Sequence, residues 1–382
     1  MTRLLRALPV PSGQTMLGLL PRLAELLDGR GDAVLPVPAD DADHAHFLAS
    51  ELSADEPIAD DVAVVVSTSG TTGKPKGAML TGAALAASGA ATHTRLGGAG
   101  QWLLALPPHH IAGMQVLLRS IQAGTDPVVL DVSAGFCLPD FVRAASEMTA
   151  SRRYISLVAT QLVKALDDPA ASEALAAFDA VLLGGGPLPA IVAIKAAQAR
   201  IPVVRTYGMS ETCGGCVYDG VALDGVQVRI GPEGRISLGG ATVAAGYRNM
   251  PEHKAFDEKS WFHTDDFGEF DQGRLRVLGR LDEAISTGGL TVVPQLVEAA
   301  LGAHPLVAEC AVFGVPDDRL GQRVAAAIVP SAAGVPTLDD LREHVAATLD
   351  VTAAPRELHL LDELPHRGIG KLDRRALVKR FS

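Results

Sequence analysis

The apolar residues of this chain gather in short blocks separated by turns rich in glycine, proline and hydroxyl residues. VAVVV at 62–66 is a β-branched run of strand length, and it enters a Ser/Thr/Gly segment directly. Thr81 is placed to cap the N-terminus of an Ala-rich helix over 82–91. The same order of strand, glycine-bearing loop and helix recurs downstream. AVLLGGGPLP at 180–189 leads into AIVAIKAAQAR, and PVVRTYGMSET at 202–212 reads as strand then loop. This repetition predicts a largely parallel α/β core. Ligands of such sheets collect beyond the carboxyl ends of the strands, so the three loops could build one site.

Elsewhere the pattern changes. Residues 1–60 are weakly patterned and predict a surface helix and linker over the acidic, Ala-rich 38–57; His44 and His46 within it read as a solvated face. Residues 215–280 contain short glycine-punctuated strands (VQVRI, GRISLGG, GRLRVLGR), as in a small β subdomain. From 283 onward βαβ-like units are expected from ECAVFGV, VAAAIV and the helical TLDDLREHVAATLD begun by Thr337. The division predicted is a large domain over 1–280 and a smaller α+β domain over 281–382.

Composition narrows the function classes. A chain of 382 residues has room for two or three domains and a cleft. Its apolar share is 48% with only 4% aromatic, which suits layered α/β packing. The net charge of −11 repels nucleic acid and anionic membrane surfaces, so an anionic ligand needs a local site. Pro9 and Pro11 interrupt the N-terminus, and no apolar run of signal or membrane length follows. A cytoplasmic protein without membrane insertion is expected. Cys137, Cys213, Cys216 and Cys310 are too scattered for a disulfide framework. Cys213-Gly-Gly-Cys216 lacks a second ligand pair and reads as small residues lining a tight turn.

Ser67–Gly77 holds five hydroxyl residues (Ser67, Thr68, Ser69, Thr71, Thr72), three glycines (Gly70, Gly73, Gly77) and two lysines (Lys74, Lys76). Glycines let backbone N–H groups approach an anion, hydroxyls add donors, and lysines add charge; together they suit a polyphosphate. A Walker loop is excluded. Gly70 and Gly73 enclose two residues rather than four, and Pro75 follows Lys74 where Ser or Thr would hold magnesium.

TSGTTGKPKG at 68–77 resembles the phosphate loop of the adenylate-forming superfamily of acyl-CoA synthetases, peptide-synthetase adenylation domains and luciferases. Further segments resemble that family's motifs in its usual order, from about residue 60 to the end. Leu106-Pro-Pro-His-His110 resembles the segment whose His borders the acyl pocket. Gly184-Gly185-Gly186-Pro187 resembles the adenine-side turn, and Tyr207-Gly208-Met209-Ser210-Glu211-Thr the motif in which Tyr stacks on adenine and Glu binds magnesium. Trp261-Phe-His-Thr-Asp-Asp266 resembles the motif whose Asp holds the ribose. Gly279-Arg280-Leu-Asp282 resembles the hinge motif, and Pro365-His-Arg-Gly-Ile-Gly370-Lys371 the motif of the catalytic lysine.

The resemblance implies a large N-terminal domain of layered sheets and helices with a small mobile α+β C-terminal domain. It implies ATP and CoA as co-substrates with Mg²⁺, a small carboxylic acid as the third partner, and it is compatible with a homodimer. Thr68 to Gly73 and Lys74 would hold phosphates. Glu211 and Thr68 would hold the metal. Asp266 and Arg280 would meet the ribose, Asp282 would be the pivot, and Gly288 and Gly289 would line the CoA side. Lys371 lies in a basic tail (Arg367, Arg374, Arg375, Lys379, Arg380), where the alternative to the catalytic role is an ordinary solvated lysine.

Three departures stand out. The phosphate loop begins early, as if part of the N-terminal subdomain were missing; Asp265 occupies a usual glycine position; and Gln295 replaces an acidic residue while Glu298 stays acidic. The acid is addressed by Ser156-Leu-Val-Ala-Thr160-Gln-Leu-Val-Lys164. It resembles a segment of o-succinylbenzoate–CoA ligases of menaquinone biosynthesis, most like the actinobacterial ones, with Lys164 placed to meet a second carboxylate. Alternatives are a CoA ligase for another fatty or aryl acid, or an enzyme charging a carrier protein.

Overall fold

A computed structural model describes residues 3–68, 74–367 and 371–382. The chain divides into two compact units, one of Met1–Gly185, Lys195–Arg229 and Ser237–His263, the other of Gly186–Ile194, Ile230–Ile236 and Thr264–Ser382.

The first unit opens with a four-stranded sheet whose order follows the chain: β1 (Leu5–Val10), β2 (Ala33–Pro38), β3 (Val62–Thr68) and β4 (Lys76–Thr81). β1, β2 and β3 run parallel and β4 returns antiparallel. Helices α1 (Leu20–Leu27) and α2 (Ala42–Glu51) lie between β1 and β2 and between β2 and β3 in sequence. The uninterrupted valine run of β3 is explained by burial on both faces. Val62 and Val65 pack with Leu48 of α2 and with Leu52 just after it, whereas Val64 and Val66 join the main core. A register shift between Val62 and Val64 breaks the strict alternation.

Two sequence expectations are corrected here. The N-terminal 60 residues are not only a helix and linker, because β1 and β2 lie within them; prolines at 9, 36 and 38 mask both strands. KGAML is not loop but strand β4, so the strand leads into a hairpin rather than directly into a helix. Besides β3 it has a neighbour remote in sequence: Met79 N donates to Gly246 O at 2.9 Å and Arg248 N to Gly77 O at 2.7 Å.

Helix α3 (Gly82–Arg95) begins where Thr81 predicts, with Thr81 Oγ1 accepting from Ala84 N at 3.0 Å. It runs one turn beyond 91, and Arg95 places a positive charge at its negative end. The second sheet contains β5 (Gln101–Leu104), β6 (Val128–Val129), β7 (Arg153–Val158), β8 (Ala180–Gly184), β9 (Val203–Met209), β10 (Gly214–Tyr218) and β11 (Val221–Ala222). Its order is β11-β10-β9-β8-β7-β5-β6, parallel from β9 to β6. Helices α4 (Ile111–Ala123), α5 (Leu138–Ser146), α6 (Ala159–Leu166), α7 (Pro169–Ala176) and α8 (Ala190–Gln198) connect it.

Side chains of both sheets meet those of α3 and α4 in one core, with Val64 and Leu80 from the first sheet, Leu85, Met114 and Leu117 from the helices, and Trp102 and Leu182 from the second. Trp102 is fully buried, with Tyr154 at 5.1 Å and the Arg119 guanidinium 5.1 Å from its ring centre. The glycine-rich strands expected over 215–280 are β10, β11, β12 (Val226–Ile230), β13 (Arg235–Gly240), β14 (Trp261–Asp271) and β15 (Arg274–Arg280). Arg229 lies 3.9 Å from the centre of the Trp261 ring and pairs with Glu258 at 3.0 Å.

β14, which enters the second unit at Thr264, and β15 form an antiparallel hairpin. A Cβ on Gly279 would come within 2.6 Å of Val293 Cγ1, so β15 packs tightly against Val293. That packing places 264–280 in the second unit, ahead of the 280/281 division expected from sequence. Strands β16 (Ile285–Thr287), β17 (Leu290–Val292), β18 (Val307–Asp317), β19 (Gly321–Pro330) and β20 (Glu357–Leu360) form its main sheet, with α9 (Pro294–Leu301), α10 (Leu338–Ala346) and α11 (Arg374–Phe381). ECAVFGV and VAAAIV are not βαβ-linked as expected; β18 and β19 are an antiparallel pair, and only β20 returns parallel to β19, after α10. Strict alternation along them feeds two cores. Val312, Val324 and Ala326 pack with α9 and α10, while Ala311, Phe313 and Ala325 pack with Leu377 of α11.

Candidate active site

A dense polar construction in the first unit surrounds Glu211. Strand β9 ends at Met209, and Ser210–Thr212 make one 3₁₀ turn closed by Cys213 in the left-handed region, φ 55°. Thr212 Oγ1 accepts from Met209 N at 3.0 Å and donates to Gly214 O at 2.8 Å. The Cys213 carbonyl accepts from Gln115 Nε2 of α4 at 2.8 Å and from Ser88 Oγ of α3 at 3.2 Å. Gly208 is required by close approach, since a Cβ there would stand 2.1 Å from Gly214 O. Glu211 itself is 7% exposed, its backbone carbonyl accepts from Ala244 N at 2.8 Å, and its Oε1 accepts from the Tyr247 hydroxyl at 2.6 Å. That distance is typical of a hydroxyl bound to an ionised carboxylate.

The two cysteines of this turn are buried, and burial pushes both thiols up, Cys216 to about 12. Cys213 closes the turn and Cys216 lies in β10, so small buried side chains occupy both positions.

The 210–212 turn packs against β3 and β4, the strands that carry the phosphate-loop motif. Thr68, the last residue of β3, pairs with Lys76, and Ser67 with Gly77. Ser69, Gly70, Thr71, Thr72 and Gly73 lie outside the described residues, and Lys74 is exposed. The β4 side is fixed by Asn249, whose Oδ1 accepts from Gly77 N at 3.3 Å and whose Nδ2 donates to Pro75 O at 2.9 Å. Lys76 is turned to this support: its Nζ is 3.0 Å from His253 Nε2 and 5.1 Å from the centre of the Tyr247 ring. Tyr247, Asn249 and His253 belong to none of the motifs legible in the sequence.

Among the described residues no group of three or more His, Cys, Asp and Glu could hold a metal ion. A carboxylate at Glu211 and a hydroxyl at Thr68 are hard oxygen donors few enough to leave the rest of a shell to phosphate and water, which fits Mg²⁺ and not zinc. Gly185 follows β8 on the surface, and Tyr207 is half-buried in β9.

For the acid, Ser156 is buried in β7 and Thr160 is exposed in the first turn of α6. Lys164 Nζ donates to Phe136 O at 2.6 Å, beside a cavity of about 340 Å³ lined by residues 134–139 and Lys164. Gln161, between them, bridges Val158 N at 3.0 Å and Ala105 O at 2.8 Å. His110 is the exposed N-cap residue of α4, its ring centre 4.3 Å from that of His109, whose imidazole is pulled down by burial.

In the second unit, Asp266 and Arg280 are register partners across β14 and β15. Arg280 grips the hinge candidate with both prongs, Nε to Asp282 Oδ1 at 2.8 Å and an NH₂ group to Oδ2 at 2.9 Å, and reaches Asp266 at 3.4 Å. Burial works against its charge, but Asp282 and Asp266 outweigh it and raise the guanidinium above its ordinary value. Asp265, in the usual glycine position, lies in extended β14 and pairs with Arg235 at 3.4 Å. Gly186 and Pro187 are exposed. Gly288 and Gly289 make the β16–β17 turn at φ 59° and 80°. The backbone of Lys371 pairs with Arg367, and its side chain lies outside the described residues.

The basic tail is not uniformly exposed. Arg374 is not solvated: it meets Glu283 and Glu298, each at 2.6 Å, with its side chain 17% exposed. Glu298 Oε1 also accepts from Val312 N at 2.8 Å, so the carboxylate serves both the strand and Arg374. Gln295 donates to Glu283, completing the group.

Residues 21–244 match the family model described as AMP-binding enzyme, and 296–371 match the AMP-binding enzyme C-terminal domain. The chain belongs to the AMP-binding enzyme family. A probable 2-succinylbenzoate–CoA ligase of Mycobacterium tuberculosis is 60% identical to this AMP-binding enzyme over 382 residues, covering 99% of both chains. A 2-succinylbenzoate–CoA ligase of Bacillus cereus is 32% identical over 87% of this chain and 72% of that one. The solved o-succinylbenzoate CoA synthetase of Bacillus subtilis, in complex with ATP and magnesium ion, superimposes with a TM-score of 0.81 at 26% identity, covering 98% of this chain and 89% of that one. The same synthetase with its acyl-adenylate intermediate gives a TM-score of 0.78 at 26% identity, covering 98% and 87%. The AMP-binding enzyme described here thus has the adenylate-forming fold, with a large N-terminal part and a smaller C-terminal one.

Proposed function

We propose that this AMP-binding enzyme is an ATP-dependent ligase that joins 2-succinylbenzoate to CoA through an acyl-adenylate. The observation that carries the reading is the 60% identity over the whole chain to a relative named for that reaction. A role in menaquinone biosynthesis, a cytoplasmic location and a homodimer belong to the same proposal. No helix among the described residues is long and apolar enough to cross a membrane.

A carboxylate is a poor electrophile toward a thiol. In the first step a carboxylate oxygen attacks the α-phosphorus of ATP, the bond to the β-phosphate oxygen breaks, and pyrophosphate leaves. In the second the CoA thiolate attacks the acyl carbon and AMP leaves with the electron pair of the cleaved C–O bond. The protein's share is alignment and charge neutralisation.

Thr68 to Gly73 and Lys74 would hold the β- and γ-phosphates, with Gly185 to Pro187, Tyr207 to Ser210, Asp266 and Arg280 around the nucleoside. Glu211 and Thr68 would hold Mg²⁺, which when bound neutralises phosphate charge. Lys371 would bridge the carboxylate and the α-phosphate as a point charge. His110, Ser156, Thr160 and Lys164 would border the acid, the Lys164 ammonium serving its second carboxylate. Asp282 would turn the small domain between the steps, and Gly288 and Gly289 would then face the pantetheine arm.

The test is ATP–pyrophosphate exchange across a panel of carboxylic acids, followed by detection of the CoA thioester. Exchange and thioester with 2-succinylbenzoate are expected. Turnover of long fatty or simple aryl acids with none of 2-succinylbenzoate would sink the assignment of the acid.

A further inference from the structure

Tyr247 links the two features of the first unit that would face the nucleotide, Glu211 and the phosphate-loop strands. Its hydroxyl donates to Glu211 Oε1 at 2.6 Å. Its ring, 3% exposed, is met edge-on by His253 at 5.0 Å and Phe256 at 5.1 Å. Lys76, at the exit of the phosphate-loop motif, lies 5.1 Å from the centre of the same ring and 3.0 Å from His253. With the ring packed by neighbours and the Ala245 and Arg248 amides bonded to β4, the phenol oxygen has little freedom. A carboxylate held at one oxygen by a fixed donor keeps one orientation. Partners of this kind, one shell outside a metal, orient the ligand and tune metal affinity.

We propose that Tyr247 is a positioning residue that aims the Glu211 carboxylate at the magnesium of bound ATP and ties that aim to Lys76 at the base of the loop. The proposal rests on Glu211 being the magnesium-side carboxylate.

The experiment measures ATP binding by calorimetry over a Mg²⁺ titration, without acid or CoA, so that nothing turns over. It uses the whole protein as wild type, Glu211→Gln, Tyr247→Phe and Phe256→Leu, with melting temperatures taken without nucleotide. Tyr247→Phe keeps the ring and loses the donor. It should need about ten- to a hundredfold more Mg²⁺ for half-maximal ATP binding, leave metal-free binding unchanged, and melt near the wild type. Phe256→Leu loosens the ring but keeps the hydroxyl, and should shift the Mg²⁺ requirement less, in the same direction. Mn²⁺ bound beside ATP, counted by electron spin resonance, should weaken in step. If Glu211→Gln shifts the requirement while Tyr247→Phe and Phe256→Leu titrate like the wild type, the positioning role is wrong and Glu211 stands. If Glu211→Gln shifts nothing, both ideas fall together.

Discussion

The Arg374 guanidinium and the Glu298 carboxylate meet at 2.6 Å with side chains only 17% and 14% exposed. Burial raises the Glu298 carboxyl, and the Arg374 charge and hydrogen bonds oppose it. A paired charge in such a place gives little net stability, but leaving one member behind is costly. Arg374→Met should therefore destabilise the second unit by about 3–5 kcal/mol. Adding Glu298→Gln should recover part of the loss. Chemical denaturation followed by circular dichroism measures both, and a loss well under 1 kcal/mol for the single change would contradict the burial argument.

His93 should make stability depend on pH. Burial chiefly, and Arg119 secondarily, pull its imidazole down from 6.5 to about 4, while Trp102 Nε1 donates to its Nε2 at 3.3 Å. Below 6.5 the unfolded chain binds a proton that the native state refuses until about 4. Its contribution is complete above 6.5 and drains away as pH falls through that window, by about 3 kcal/mol in all. In His93→Gln the difference in stability between pH 7 and pH 4.5 should shrink accordingly; an unchanged difference would show that His93 is not held neutral.

Gly208→Ala sets a side chain against the Gly214 carbonyl, 2.1 Å from where its Cβ must go. Separating β9 from β10 should cost about 1–3 kcal/mol, read as a lower melting temperature. The same shift would move the 210–212 turn, so ATP affinity should fall with it. An alanine variant that melts and binds like the parent would mean the strands part freely.

Lys371→Ala bears on the order of the two reactions. Pyrophosphate exchange should disappear, whereas thioester formation from preformed adenylate should largely persist. Equal loss of both half-reactions would remove Lys371 from its assigned step.

What the sequence disclosed was mostly local. The valines of β3, the Thr81 cap of α3 and the Thr337 cap of α10 depend on residues within a turn or a strand of each other, and they appear where the pattern places them. Glu211, Asp266 and Arg280 were legible through motifs, and the fold brings the last two together. The missed features all needed a distant partner. The second edge of β4 is covered by 245–249, Tyr247 matters because it reaches Glu211 36 positions away, and Arg374 is drawn out of solvent by Glu283 and Glu298. No window of neighbouring residues contains that information.

The chain has two tryptophans, and the packing described for Trp102 and Trp261 puts both in the first unit. Indole emission is thus a private signal of that unit, with Trp102 sealed in its core and Trp261 under the Arg229 guanidinium. The second unit is dark at the same wavelengths. Unfolding of the second unit beyond β14 would leave Trp102 emission unchanged while ellipticity recorded it, so a separation of the two melting curves would show, without any label, that the units unfold independently.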